Sequence, residues 1–246
     1  MTKSGKSTYK NHQKPWPLTW IPEDKLLEIC KNTIKAGAPE TEEVSYKNMV
    51  DPFSALFDMA INNMTYDDWK GAEIRRQHQK RLQNAIGKFH QDVLGAIDGW
   101  ENLNVGEGID IQNKGRKIFA EIKNKHNTVK GSDLPRVYDE LKTFLKPGYT
   151  GYYVQILAKS KFNRPFVPSD NLKTEKAESN ERIREIDGRS FYALATGSKT
   201  AFDDLYEVLP CLLQEITRGE FDAEIARNHS MYRDLIERTK PKLPTK

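Results

Sequence analysis

Cysteine is nearly absent from this chain: Cys30 and Cys211 are the only two in 246 residues. They exclude a disulfide framework, and no histidines stand at ligand spacing to make a zinc site with them. Each sits among apolar residues of a predicted helix, so both are expected as buried free thiols in a reducing compartment. Long hydrophobic runs are missing too. No stretch approaches the roughly 18–20 apolar residues that span a bilayer, so no membrane partner is expected. The N-terminus MTKSGKSTYKNHQKPWP is basic but has no apolar core, which is not the pattern of a secretory signal. The chain also lacks internal repeats.

What the chain does carry is charge. Charged residues make up 30% and hydrophobic residues 37%, and the mean hydropathy is -0.75. That is a soluble globular protein, long enough for one sizeable core. Lysine and arginine number 39 against 35 acids, a net charge of +4. The excess favours a polyanionic partner only if the basic residues cluster at a site.

The first half is predicted helical. In PEDKLLEICKNTIKAG, residues Leu26, Leu27, Ile29, Cys30 and Ile34 recur near a 3.6-residue period, and Gly37 ends the pattern. Asp51 and Pro52 form an N-cap and first-turn pair for PFSALFDMAINN. Thr65, followed by Asp67 and Asp68, opens a long helix with Leu82, Ile86, Phe89, Val93 and Ile97 on one face. The middle changes character. GIDIQ and KIFAEIK are predicted strands joined by the turn NKGR, with Gly115 free to take positive φ. Ser132 and Asp133 cap a helix through LPRVYDELKTFL, and TGYYVQILAK is a third strand, apolar enough to be buried on both faces. Strand, helix and strand at this spacing predict a crossover, hence an α/β fold with a mixed central sheet flanked by helices. Residues Ser160 to Arg182 are polar and aperiodic, a functional or mobile loop. RIREI is a fourth strand ending in a turn at Asp187-Gly188, and SKTAFDDLYEVLPCLLQEI is an amphipathic helix with a break expected near Pro210. The organisation expected is one domain over 1–246. Within it lie a basic arm (1–17), a mostly helical portion (22–100), a sheet core with its C-terminal helix (101–217) and a tail (218–246).

The stretch GIDIQNKGRKIFAEIKNKH concentrates the chemistry. On KIFAEIK, Ile118, Ala120 and Ile122 point one way and Phe119, Glu121 and Lys123 the other, with Glu121 and Lys123 roughly 6.5–7 Å apart. On GIDIQ, Ile109 and Ile111 are expected to face together, with Asp110 opposite. Pairing through NKGR brings Asp110 beside Glu121, and a slip of one residue breaks that meeting. Two carboxylates so close repel unless a cation lies between them, and oxygen ligands suit Mg²⁺. The backbone carbonyl of Ile122 is a further oxygen ligand within reach. Lys123 supplies a positive charge for a phosphate, or orients an attacking water. The competing reading is an exposed hairpin with cross-strand ion pairs.

Asp110, ten residues, then Glu121-Ile122-Lys123 is similar to the pattern of the PD-(D/E)xK nucleases. One departure is Ile109, which stands where the motif has proline. The segments DPFSALFDMAINNMTYDDW, LQNAIGKFHQDVLGAIDGWE, GIDI, AEIKNKHNT and FYALATG together resemble a family of type II restriction endonucleases. The resemblance implies a metal-dependent, sequence-specific endonuclease of a bacterial or archaeal cytoplasm. It implies double-strand cuts in double-stranded DNA at a short palindrome of the GGNCC or GGWCC type, and a homodimer to match the two-fold site. Asp110, Glu121 and Lys123 are the catalytic set it points to. The alternatives are a repair or structure-selective nuclease of the same superfamily, or a non-catalytic DNA-binding protein on the same core.

Further residues are candidates for contact with DNA. Lys125 continues the phase of Glu121 and Lys123, and His126, Asn127, Thr128 and Lys130 follow directly. Each is equally well an ordinary residue of a polar loop. Arg164, Arg182 and Arg184 would line a groove, against the alternative of a solvated loop. Glu107, Gln91 and Asn84 are possible supports for the acids, with a structural role the more ordinary reading. Paired histidines of the HNH type are missing, which leaves His126 at most a contact.

Overall fold

The computed structural model describes residues 16–39, 50–103, 108–125, 129, 131–168, 180–218, 234–235 and 237–238. They form two compact units, one of Met1–Cys30 with Phe89–Lys246 and one of Lys31–Lys88. Three helices precede the first strand: α1 (Glu23–Gly37), α2 (Pro52–Asn62) and α3 (Tyr66–Gly95). Then come β1 (Glu101–Asn102), β2 (Ile111–Asn113), β3 (Ile118–Lys125), a 3-10 turn (Gly131–Asp133), α4 (Leu134–Thr143) and β4 (Thr150–Leu157). The described chain continues through β5 (Asn163–Pro165), β6 (Ile183–Asp187), α5 (Gly188–Thr196) and α6 (Ala201–Ile216). Most of the expected arm and tail lies outside the described residues.

In the first unit, six strands make one mixed sheet in the order β1-β2-β3-β4-β6-β5. β2 and β3 pair antiparallel, while β3 and β4 run parallel, with α4 as the crossover between them. β4 and β6 are parallel as well, and β5 pairs antiparallel with β6 at the edge. The sheet is therefore the mixed, helix-flanked one that the sequence predicts.

Alternation on the central strands builds two cores. Ile118, Ala120 and Ile122 of β3 join Tyr152, Val154 and Ile156 of β4 under Leu26, Phe89, Val93, Phe191, Tyr192 and Phe202. Phe119 and Tyr153 face the other way, against Val137, Tyr138 and Leu141 of α4 and against Phe166. β3 and β4 are thus buried on both faces, as their near-continuous apolar runs require.

Several expectations give way to local geometry. Gly115 is not the positive-φ residue of the hairpin turn; Lys117 is, at φ 56°. Asn113 sets that turn: its Oδ1 accepts from the Arg116 amide at 2.8 Å, so a side chain replaces glycine's freedom. Asp187-Gly188 is the start of α5 rather than a turn. Asp187 is its N-cap, and its Oδ1 accepts from the Ser190 amide at 3.0 Å. Glycine is needed at 188 because a Cβ there would stand 2.3 Å from the Ile156 carbonyl oxygen. α6 runs unbroken through Pro210, since the buried side chains Val208, Pro210 and Leu212 keep packing on either side. The polar stretch after Ser160 contains the short edge strand β5. Of the two thiols, Cys30 is buried and pushed up to about 12 by that burial, whereas Cys211 is only half-buried. No described helix is long and apolar enough to cross a membrane.

The second unit holds the end of α1, α2 and most of α3. Asp51 caps α2 as predicted, accepting from the Phe53 amide at 2.9 Å. Thr65 and Asp68 cap α3 reciprocally: the Thr65 amide donates to Asp68 Oδ2 at 3.0 Å and the Asp68 amide to Thr65 Oγ1 at 3.2 Å.

In the first unit, His90 is buried under α5 and α6, its Nδ1 2.9 Å from the Tyr192 hydroxyl. Burial pulls its pKa down to about 4 from 6.5, so it is neutral in the native state. An unfolded histidine takes a proton below about 6.5, and native His90 does not until about 4. Stability contributed here is therefore full above the upper value and lost as pH falls toward the lower, by up to about 3 kcal/mol. Urea denaturation at about pH 7 and about pH 4.5 will show this loss in the wild type and less of it in His90→Asn; an unchanged loss would remove His90 as its source.

Candidate active site

Asp110 and the Glu121-Ile122-Lys123 segment come together where β2 and β3 meet. The chain bends at 108–110, with Gly108 at φ 77°. Ile111 pairs with Ala120, and the preceding amide, Asp110 N, also donates to the Ala120 carbonyl at 3.0 Å. Two residues thus oppose one, as at a β-bulge, and bulges re-aim side chains. This overturns the expectation that Ile109 and Ile111 share a face. Ile111 lies in the core with Ala120 and Ile122, and Ile109 in the core with Phe119 and α4. The bulge leaves Asp110 turned toward Glu121.

The Asp110 carboxylate is held from two sides. Its Oδ2 accepts from the Ile122 backbone amide at 2.6 Å. It also hydrogen-bonds with Glu121 and accepts from the Gln91 side chain at the end of α3. Lys123 Nζ donates to Glu121 Oε1, and the two side chains are only 28% and 14% exposed. The pair is thus more shielded than a surface ion pair of the exposed-hairpin kind.

Desolvation is the largest cause acting on both acids. It raises Asp110 against the pull of the Ile122 amide, the Lys123 charge and the bonds from Glu121 and Gln91. Desolvation and then the Asp110 charge push Glu121 up to about 7, although Lys123 pulls it down. Burial thus disfavours carrying both charges at once, so the two carboxyls titrate as a pair. An all-oxygen donor set with two acids pressed together fits a hard divalent cation, which relieves the repulsion that burial strengthens. Among the described residues no third His, Cys, Asp or Glu joins them.

The neighbouring strands extend this face of the sheet. Register places Glu121 opposite Tyr153, Tyr153 opposite Glu185, and Glu185 opposite Arg164. Tyr153 stacks on Phe166 with ring centroids 5.0 Å apart. Burial, then the charges of Glu121 and Glu185, push its phenol up to about 12. The next row sets Lys123 opposite Gln155 and Gln155 opposite Asp187. Tyr153 and Gln155 escaped sequence reasoning because β4 is an apolar strand that looks structural throughout, and Glu185 because its place beside Tyr153 is set by pairing distant in sequence.

Other candidates fare unevenly. Gln91 reaches Asp110, but Asn84 belongs to the second unit. Arg164 is bound to Glu185 at 2.6 Å. Arg184 points to the opposite face, where its Nε donates to Asn163 Oδ1 at 2.8 Å, and Arg182 donates to the Lys146 carbonyl at 3.2 Å. Lys125 ends β3 and is exposed. Glu107, His126, Asn127, Thr128 and Lys130 lie outside the described residues.

A mixed sheet with this acid pair and lysine at adjoining strands is the core expected of a PD-(D/E)xK nuclease. The comparisons narrow the class. The family model of the Eco47II restriction endonuclease matches residues 18–218. The chain is 38% identical over 210 residues to the type II restriction enzyme Eco47II of Escherichia coli, covering 81% of this chain and 87% of that one. It is 34% identical over 209 residues to the type II restriction enzyme Sau96I of Staphylococcus aureus, covering 80% of each. The chain belongs to the Eco47II restriction endonuclease family. It is a sequence-specific type II deoxyribonuclease, its partner is DNA, and enzymes of this kind need a divalent metal.

The raised carboxyl carries a pH signature. Native Glu121 keeps its proton to about 7, while an unfolded glutamate releases it near 4.5. This contribution is full below the lower value and lost as pH rises through the upper one, opposite in sign to His90. Denaturation midpoints in chelator at about pH 5 and about pH 8 will differ between wild type and Glu121→Gln, with the variant gaining relative stability at the higher pH. A constant difference between the two proteins would refute the shift.

Proposed function

We propose that this enzyme cuts both strands of DNA at a short palindrome of the GGNCC or GGWCC type, as a homodimer in the cytoplasm. Asp110 and Glu121 hold Mg²⁺ with the Ile122 carbonyl as a further ligand, and Lys123 serves the reacting phosphate. One observation carries the catalytic part of this reading: the bulge and the Ile122 amide turn Asp110 onto Glu121, whose other neighbour is Lys123. When bound, Mg²⁺ would lower the pKa of a water and neutralise charge on the phosphate.

The chain's own residues do the rest. The Ile122 amide and Gln91 fix the Asp110 carboxylate so that it need not reorganise during the reaction. Glu121 keeps the Lys123 ammonium in a half-buried place, where its charge acts on phosphate more strongly than in water. Water attacks phosphorus in line with the 3′ oxygen. The phosphorus–oxygen bond to that atom breaks, leaving a 5′-phosphate and a 3′-hydroxyl. Lys125 and the residues after it, His126, Asn127, Thr128 and Lys130, continue the chain beyond the site and are assigned to phosphate and base contacts. Arg164, Arg182 and Arg184 already have acceptors within the protein, so their part in DNA binding requires exchange of those bonds. The repair-nuclease and non-catalytic alternatives draw no support from the relatives.

Asp110→Ala is expected to lower Mg²⁺-dependent plasmid cleavage by more than about 10³-fold, and Lys123→Ala by about 10²-fold or more. Both should still bind the DNA in a gel shift. Full cleavage by Asp110→Ala would end the proposed mechanism. Sequencing the ends of digested DNA will give the site and cut position, and ends without a common sequence would end the proposed specificity.

A further inference from the structure

The outer face of α2 stands in water. Phe53, Leu56, Phe57 and Ile61 are 72, 62, 67 and 77% exposed. They recur at i, i+3, i+4 and i+8, which puts them on one side of the helix. No residue of α2 is buried. Its one charged side chain, Asp58, is only 26% exposed and is ion-paired with Arg76 at 3.0 Å. Scattered exposed apolar residues are ordinary on any surface, but a charge-free stripe of four on one helix marks an interaction site. A helix of 11 residues is also marginal in water without a packed face.

We propose that this stripe is where a second copy of the chain docks, α2 against α2 about a two-fold axis. The inference rests on the homodimer reading and adds the surface that carries it. At those exposures the four side chains leave roughly 500 Å² open per copy. Two facing stripes bury about 1,000 Å², the least a biological interface needs, before any flanking residue counts. A two-fold contact sets the patch against itself, apolar on apolar, and buries no charge. DNA is excluded as occupant, because a stripe without a cation offers nothing to phosphates. The demand for a second copy comes from the reaction: a palindrome presents two scissile bonds, and each chain carries one set of Asp110, Glu121 and Lys123.

The test uses the full-length chain. Sedimentation equilibrium is expected to show a wild-type dimer and to raise its dissociation constant at least about 100-fold in Phe57→Glu, with unchanged circular dichroism. On a supercoiled plasmid that the wild type linearises, Phe57→Glu should accumulate nicked circles. Leu56→Cys should cross-link between copies under mild oxidation, with the wild type as control, and this decides the matter if Phe57→Glu misfolds. A dimer that persists in Phe57→Glu, with no Leu56→Cys cross-link, would overturn the surface while leaving the homodimer intact. A wild type that is monomeric both free and on DNA would overturn the surface and the homodimer together.

Discussion

The hydrogen bond from the Ile122 amide to Asp110, at 2.6 Å, is the contact on which the site depends. It ties an acid from the bend before one strand to the backbone of the next, between the two residues that flank Ile122. Without it, nothing from the backbone would hold one half-buried carboxylate against a second, and desolvation would separate them. The bond is available only because β3 has its hydrogen-bonding edges on β2 and β4, yet β2 begins one residue after Asp110. A ladder that is regular up to Ile111 and irregular just before it is what frees Asp110 to accept.

β3 divides its work by face. Its isoleucines and alanine fasten it into the core with α5 and α6, and its other side passes from Phe119, packed near α4, to Glu121 and Lys123. Rigidity comes from one face and chemistry from the other, at no more than a residue's distance along the chain. The same economy recurs at Asp187. That buried carboxylate caps α5 through Oδ1, and through Oδ2 it accepts from the Phe162 amide at 2.9 Å, fixing where the edge strand starts. The two opposing pH dependences, from His90 and Glu121, belong to opposite faces of the same sheet.

Much of this was legible beforehand. Alternation on β3, the crossover through α4 and the Asp51 cap follow from side-chain period and capping chemistry. Those signals are local. What escaped was settled by contacts distant in sequence. α5 is nine residues long and was hidden behind what looked like a turn, because the closeness of Gly188 to Ile156 is invisible without the fold. Pro210 was expected to break α6, but burial on both sides outweighs one lost hydrogen bond. The sequence pattern names Asp110, Glu121 and Lys123, and the structure brings these three together by a different route from the one expected. Regular pairing was expected to turn Asp110 toward Glu121, whereas an irregularity does so, and Ile109 changes cores as a result.

That irregularity gives the hairpin a parity. Side chains on β3 alternate, and Asp110 meets them from across the turn at 114–117. A slip of one residue in the pairing register would turn every side chain of the incoming strand to the wrong layer, and a slip of two would restore the layers. Turns of different length can join the same two strands, so what has to be kept is the register and the bulge rather than the number of turn residues. What keeps Asp110 on Glu121 and the isoleucines indoors is thus the pairing across the strands, and not the count of ten residues that separates the two acids along the chain.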